Sequence, residues 1–497
     1  MQTAASTRPA STPAPKRIAD LPAPRGWPLV GNAFQLQRAT IHRSVEQWCR
    51  ELGPLFQFRV GARRIVVLAD HARIATVLRD RPDGWRRTQQ LQMISREMGL
   101  TPGVFGSEGE AWQRQRRMVM SGLDPGRVRA YFPSLNKVTE RLRARWQRAA
   151  REGRTLDLSA ELMRYTVDTV AGLAFGADIN TLESDGVVIQ QHLDRIFPAL
   201  YRRMMLLLPY WRWVRLPSDH ALERSVAEIK RAIAEFIAQA RARLAADPAR
   251  RAEPPNLLES MIVAAEDGGG IDDEQVSANV LTMLLAGEDT TAHTLGWLLH
   301  LLHRHPAALA RAVDEARRVA PADGLLTPEH LADLDYVEAC IHETMRLKPV
   351  APFVVVEALR DTQIGELQVP RGTVLWCAMR HDNLADAHFD SPAAFDPQRW
   401  LGGATGSAKR VTMPFGAGPR ICPGRYLALT EMKMLLAMLF VHFDIDTVDT
   451  ADGQEAAERM SFTMVPVGLR MRLREHAPTP LAGIAAATVA ADDAQRP

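Results

Sequence analysis

Cysteine is scarce: Cys49, Cys340, Cys377 and Cys422 are the only four in 497 residues. They stand too far apart for a disulfide framework or a paired zinc motif, so a reducing compartment, the cytoplasm, is expected. The same scatter excludes a ferredoxin-type iron–sulfur cluster. Charge of one sign is also lacking. A net charge of +3 is too small to argue for nucleic acid as a partner. No run of about 18 apolar residues opens the chain, which argues against a transmembrane anchor. No signal-peptide core is present either, so export is not indicated. Internal repeats are absent.

What is present is the composition of an ordinary folded protein, 46% hydrophobic and 24% charged. Residues 1–23 are rich in Ala, Ser, Thr and Pro and read as a disordered tail. Residues 475–497 lose their bulky periodicity and read the same way, which leaves 24–474 as a single domain. A helix is predicted across Ser44–Glu51, then a hairpin of Leu55–Val60 and Arg64–Leu68 around Gly61-Ala62. From about Asp70 to Arg318 the texture is mostly helical. Strand signals return at Val354–Val369 and Val374–Cys377, and weakly near Phe462–Leu473. The fold class is therefore mainly α with small β-sheets.

Cys422 is out of place for a packing residue. It lies in Phe415-Gly416-Ala417-Gly418-Pro419-Arg420-Ile421-Cys422-Pro423-Gly424, a loop of turn formers, with an apolar segment of helical length (Leu427–Phe440) directly after it. Orphan N–H groups at such a helix start lower a thiol's pKa and favour a metal-binding thiolate. Gly418 and Gly424 allow a flat ligand close to the backbone, and Arg420 offers a partner to a carboxylate. The complete pattern Phe-x-x-Gly-x-Arg-x-Cys-x-Gly resembles the haem-binding signature of the cytochrome P-450 superfamily. That resemblance implies haem b (iron protoporphyrin IX), with Cys422 as its proximal iron ligand and Phe415, Gly418, Arg420 and Gly424 around it.

Further motifs follow in the order of that family. Pro24-Arg25-Gly26-Trp27-Pro28 resembles its proline-rich hinge. Asp272 with Gln275 has capping-box spacing and opens a helix predicted to reach about His303. At its middle, Ala286-Gly287-Glu288-Asp289-Thr290-Thr291 puts a glycine, two acids and two β-branched residues where helix propensity disfavours them. The hexapeptide resembles the family's distal-helix motif. By that resemblance Asp289 is the acid and Thr290 the alcohol that supply protons to dioxygen, while Ala286 and Gly287 leave room for oxygen against the haem. Glu343 and Arg346 resemble the Glu-x-x-Arg pair. Arg399, within Pro397-Gln398-Arg399-Trp400, completes a three-charge cluster with a role in folding and haem retention. Trp112 and Arg116 share one helix face and resemble the family's propionate-binding pair, joined by Arg420. Where many members carry an arginine just before a Glu-Ala strand, this chain has Val356 before Glu357-Ala358, so no propionate contact is assigned there.

The resemblance spans roughly Pro24–Leu473 and implies a haem-thiolate monooxygenase that inserts one atom of O₂ into a hydrophobic small molecule, lipid-like, terpenoid or steroid-like. Cavity walls are expected from 86–106, 196–216, 286–290, 350–355 and 462–464. Met204-Met205-Leu206-Leu207-Leu208-Pro209-Tyr210-Trp211 suits a greasy ligand under a mobile lid, or a membrane contact. No flavin-binding segment is recognised. Electrons are therefore expected from a separate ferredoxin or flavodoxin and an NAD(P)H-dependent reductase, docking on a monomer near Arg114, Arg117, Arg127, Arg129, Arg425 and Lys433. A peroxygenase or isomerase would not need the Asp289–Thr290 pair. A non-catalytic haem sensor or ligand carrier is the alternative of a different class, separated from an enzyme by turnover with a reductase.

Overall fold

The computed structural model describes residues 15–476, apart from 184–187, 268–271, 322–325 and 403–404. Residues 1–14 and 477–497, most of the two expected tails, lie outside the described residues. The body begins earlier than the proline-rich segment. Lys16 bridges Leu367, the Gln57 N–H donates to Pro22 O, and Leu21 is buried. Residues 16–23 are thus packed chain, because Leu21 gives the segment an apolar anchor that its composition does not advertise.

One helix organises the interior. Asp273–Arg304 runs 32 residues, roughly 48 Å at 1.5 Å per residue. Asp272 caps it by accepting from the Gln275 N–H at 2.7 Å, but the reciprocal half of a capping box is missing, since Gln275 Oε1 has no partner. From Val276 to Leu302 most side chains are buried, and helices Leu158–Phe175, Pro217–Ala246, Asp335–Leu347 and Arg425–His442 pack round it. A helix apolar on nearly every face must be surrounded to be stable in water. That requirement puts its central acids inside the protein.

The predicted hairpin forms as Leu55–Val60 with Arg63–Leu68. It belongs to a five-stranded sheet that continues through Val374–Ala378, Phe353–Ala358 and Trp85–Arg86. Only the Arg63–Leu68 and Val374–Ala378 pairing is parallel. The strand signal at 354–369 is split, with Thr362–Ile364 and Leu367–Val369 forming their own hairpin. Phe443–Asp449, which the sequence did not mark as a strand, pairs with Arg470–Glu475. A last hairpin, Ala457–Ser461 with Thr463–Val467, turns on Phe462 at φ +83. A bulky residue rarely adopts that conformation. Here the Phe462 ring stacks on Phe197, with centroids 4.5 Å apart and planes 8° from parallel, and this contact holds the tip in place.

Candidate active site

The cysteine loop is folded by its own backbone. Cys422 N–H donates to Phe415 O at 2.9 Å, and Gly416 and Gly418 take positive φ to close the turn. The helix Arg425–His442 starts directly after it. Burial pushes the Cys422 thiol up, against the Gly424 N–H and the charges of Arg116 and Arg425, which pull it down. The expected net lowering at the helix start is therefore overturned: desolvation outweighs the N-terminal field. A thiol in that state ionises when a metal cation binds it. Two glycine assignments also change. A Cβ on Gly418 would lie 2.4 Å from Leu78 O, so this glycine lets the loop approach the helix His71–Arg79. A Cβ on Gly287 would lie 2.5 Å from Val170 Cγ2, so it serves helix–helix packing and does not face the cleft. Gly424 is open, with only Cys422 Sγ at 4.0 Å.

Beside the loop the structure gathers more cations than the sequence suggested. Arg116 Nη2 donates to Ile421 O at 2.6 Å, and the Arg420 guanidinium lies 4.4 Å from the centre of the buried Trp112 ring. Arg420 also donates to Ser107 O at 2.9 Å and pairs with Glu108. Arg81 and Arg87 join this group. Arg81 is 4% exposed, yet its Nε and Nη2 have no hydrogen-bond partner; Arg420 Nε and Ser107 Oγ are likewise unpartnered. Arg87 donates to Phe105 O at 3.2 Å. Burial pushes all four guanidiniums down; Arg420 falls to about 10, with Arg81 and Arg116 adding to the effect and Glu108 opposing it. Four cations with one carboxylate among them, and several N–H groups unused, fit a buried dianion such as the two propionates of haem. Val356 is fully buried and brings no cation here; the cations beside the loop are Arg81, Arg87, Arg116 and Arg420. Arg86-Arg87 after Trp85 was the available signal, but a charged pair after a short strand usually means solvent.

On the long helix, Ala286 and Thr290 line a cavity of about 320 Å³. Its walls include Arg87–Gly106 residues, Ile196–Met205 residues, Ala351–Val355, Phe462 and Thr463. All five expected segments contribute, though of 196–216 nothing beyond Met205 reaches it, and Ile41, Leu281, Thr282, Leu285, Trp376 and Met460 line it from outside those segments. Leu207 and Leu208 are exposed, and Trp211 is buried, donating to Glu97 at 2.8 Å. Thr290 Oγ1 donates to Ala286 O at 2.8 Å, keeping acceptor capacity on its oxygen. Asp289 accepts from Thr463 through Oδ2 and lies 3.1 Å from His293 Nδ1 through Oδ1. Neither partner was foreseen: His293 follows from i+4 spacing, whereas Thr463 is 174 residues away.

The three-charge cluster forms around Glu343. Arg346 donates to both its oxygens at 2.8 and 2.7 Å, and Arg399 Nε approaches at 3.3 Å. Trp400 adds Nε1–H to Glu343 at 2.9 Å, a bond that phenylalanine would not make. Arg346 also ties down Asn383 O, Pro392 O and Ala394 O, so the cluster pins the chain leading to the cysteine loop.

Comparison with known proteins agrees with this geometry. A family model for cytochrome P450 matches residues 21–473. The chain is 29% identical over 424 residues to a cyclooctat-9-en-7-ol 5-monooxygenase of Streptomyces melanosporofaciens, covering 84% of this chain and 87% of the relative. It is 27% identical over 470 residues to a self-sufficient cytochrome P450 monooxygenase of Oidiodendron maius, covering 91% of this chain but only 42% of that longer protein. A crystal structure of the cytochrome P450DA heme domain superposes with a TM-score of 0.81 at 24% identity, covering 94% of this chain and 99% of that one, and shows the shared fold.

Proposed function

Because the chain belongs to the cytochrome P450 family, whose members bind haem b, we propose that it is a haem-thiolate monooxygenase with Cys422 as the iron ligand. Haem when bound supplies the redox chemistry that splits dioxygen. The protein's part is to hold, exclude water and move protons. Trp112, Arg81, Arg87, Arg116 and Arg420 would hold the propionates, Phe415 and Gly424 the proximal face, and Ala286 the distal wall. Asp289 and Thr290 are the acid and alcohol that pass protons. The observation that carries the reading is the convergence of Cys422 with the partly unpartnered arginine cluster. The substrate is a hydrophobic small molecule, lipid-like, terpenoid or steroid-like, supported by the apolar walls of a cavity of about 320 Å³.

Electrons come from a separate ferredoxin or flavodoxin with an NAD(P)H-dependent reductase, docking on the cysteine side. Among the described residues no helix is long and apolar enough to cross a membrane. A cytoplasmic monomer is proposed, and all four cysteines, free of disulfides, suit a reducing compartment. The ligand assignment is tested by the carbon monoxide complex of the reduced protein. Thiolate ligation gives a strongly red-shifted Soret band, which wild type should show and Cys422→His should lose. Retention of the band in Cys422→His would overturn the assignment.

A further inference from the structure

Asp289 stands in a wall between two cavities. Thr290 and Thr463 line the substrate cavity, whereas Asp289 lines a second cavity of about 400 Å³, shared with Asp194, Glu288 and His293. A side-chain hydrogen bond from Thr463 Oγ1 to Asp289 Oδ2 joins the two sides. The second cavity has the groups to hold exchangeable protons. Glu288 is 2% exposed with Oε1 unpartnered, and His293 Nδ1, 3.1 Å from Asp289, lies off the hydrogen-bond direction. Burial, then the charges of Asp194 and Asp289, keep the Glu288 carboxyl well above the usual range. Burial and Asp289 push Asp194 up to about 6, with His293 opposing.

Resting on the haem-thiolate reading, we propose that reaction protons enter from this second cavity through Asp194 and Asp289 and cross to the substrate side through the Thr463 hydroxyl. Each transfer moves one proton and no electron. Thr463 gives Asp289 its present hydrogen bond; when Asp289 arrives protonated, the hydroxyl oxygen accepts that proton and releases its own toward Thr290, and Asp289 is reprotonated from Asp194 and cavity water. His293 is a positioning residue for Asp289. Charged and titratable groups facing Asp194 are Glu288, Asp289 and His293 on the long helix, Asp157 on the strand Leu156–Asp157, and Arg459 on the last hairpin.

The test uses haem-loaded protein reduced with dithionite and mixed with oxygenated buffer in H₂O and D₂O, following reoxidation and peroxide release across pH. Thr463→Val keeps the shape and removes the hydroxyl. It should slow reoxidation by about tenfold, below the hundredfold or more of a group acting directly, and raise the solvent isotope effect. Thr463→Ser should restore both. Wild type should show a pH dependence near 6, and Asp194→Asn should abolish it. Wild-type rate, isotope effect and pH profile in Thr463→Val would overturn the proposal and place proton supply in the substrate cavity. Failure of Thr463→Ser to restore them would overturn it as well, as a packing effect. Either failure leaves the thiolate Soret band intact, whereas failure of the haem-thiolate reading removes it.

Discussion

Arg81 and Arg87 take their meaning from the fold alone. In sequence they flank a short turn; in the structure they face Arg420 with Glu108 between, and two nitrogens of Arg81 have no partner. A buried guanidinium without an anion is costly, and a bound dianion relieves it. Charge-assisted hydrogen bonds contribute about 1.5–3 kcal/mol each, so Arg81→Gln and Arg87→Gln should each speed haem loss by about ten- to a hundredfold. Transfer of haem to an excess of apomyoglobin, followed by absorbance, measures this. Loss rates equal to wild type in both variants would remove them from the propionate site. The reassigned glycines teach the same lesson at smaller scale. The motifs around Gly287 and Gly418 suggest glycines that make room for a cofactor, yet a Cβ at either would strike Val170 or Leu78; which neighbour needs the space is decided by packing between elements far apart in the chain.

At the scale of elements, the last hairpin matters because it carries Phe462 and Thr463 to the cavity. It is held by Glu458, which accepts from Arg380 at 2.8 and 3.1 Å and from Lys348 at 2.8 Å, and contacts His42 at 2.9 Å. Arg380 in turn grips Glu46 at 2.7 and 2.8 Å. Burial alone would raise the Glu458 carboxyl, but hydrogen bonds from His42 and Arg380, with the charges of Arg380 and Lys348, hold it well below the usual range. A depressed folded pKa contributes stability that is present above the unfolded value of about 4.3 and lost as pH falls below it. Glu458→Gln should therefore cost about 3–5 kcal/mol near neutrality, as for a broken buried pair, with the gap from wild type closing in acid. Urea unfolding over a pH series measures it; a gap that is constant with pH would mean the carboxylate is not the stabilising form. The long helix, by contrast, was readable in advance. Its cap, length and central acids are local properties, and only the partners of those acids, Thr463 and Asp194, required the fold.

For the whole molecule, the expected cationic docking face is smaller than the sequence implied. Lys433 is buried and paired with Glu338 at 2.6 Å, so it belongs to the interior. Arg127 donates to Pro254 O, and Arg129 pairs with Glu329. Arg117 is exposed, and Arg114 makes only a 3.6 Å pair with the exposed Glu110. An exposed pair of that kind contributes about 0–1 kcal/mol and leaves the charge available to a partner. Charge reversal at Arg114 and Arg117 should slow reduction by an acidic ferredoxin several-fold at low salt. The difference should fade as ionic strength shortens the screening length below about 10 Å. Stopped-flow reduction against salt checks it, and rates insensitive to both salt and charge would show that docking does not use this face.

The sequence by itself determined the family, the mainly helical class, the cysteine proposed as iron ligand and the long helix that carries the proposed acid and alcohol. These are written in contiguous motifs whose spacing, turn chemistry and capping act within a few residues. Only the tertiary structure decided which arginines converge beside the cysteine loop, which glycines are there for packing, that Lys433 is interior, and that Asp289 lines a second cavity while hydrogen-bonded to Thr463 of the first. Those facts depend on burial and on pairs hundreds of residues apart, such as Arg420 with Glu108 at a separation of 312. Desolvation and long-range contact set their energies, and neither has a signature in local sequence.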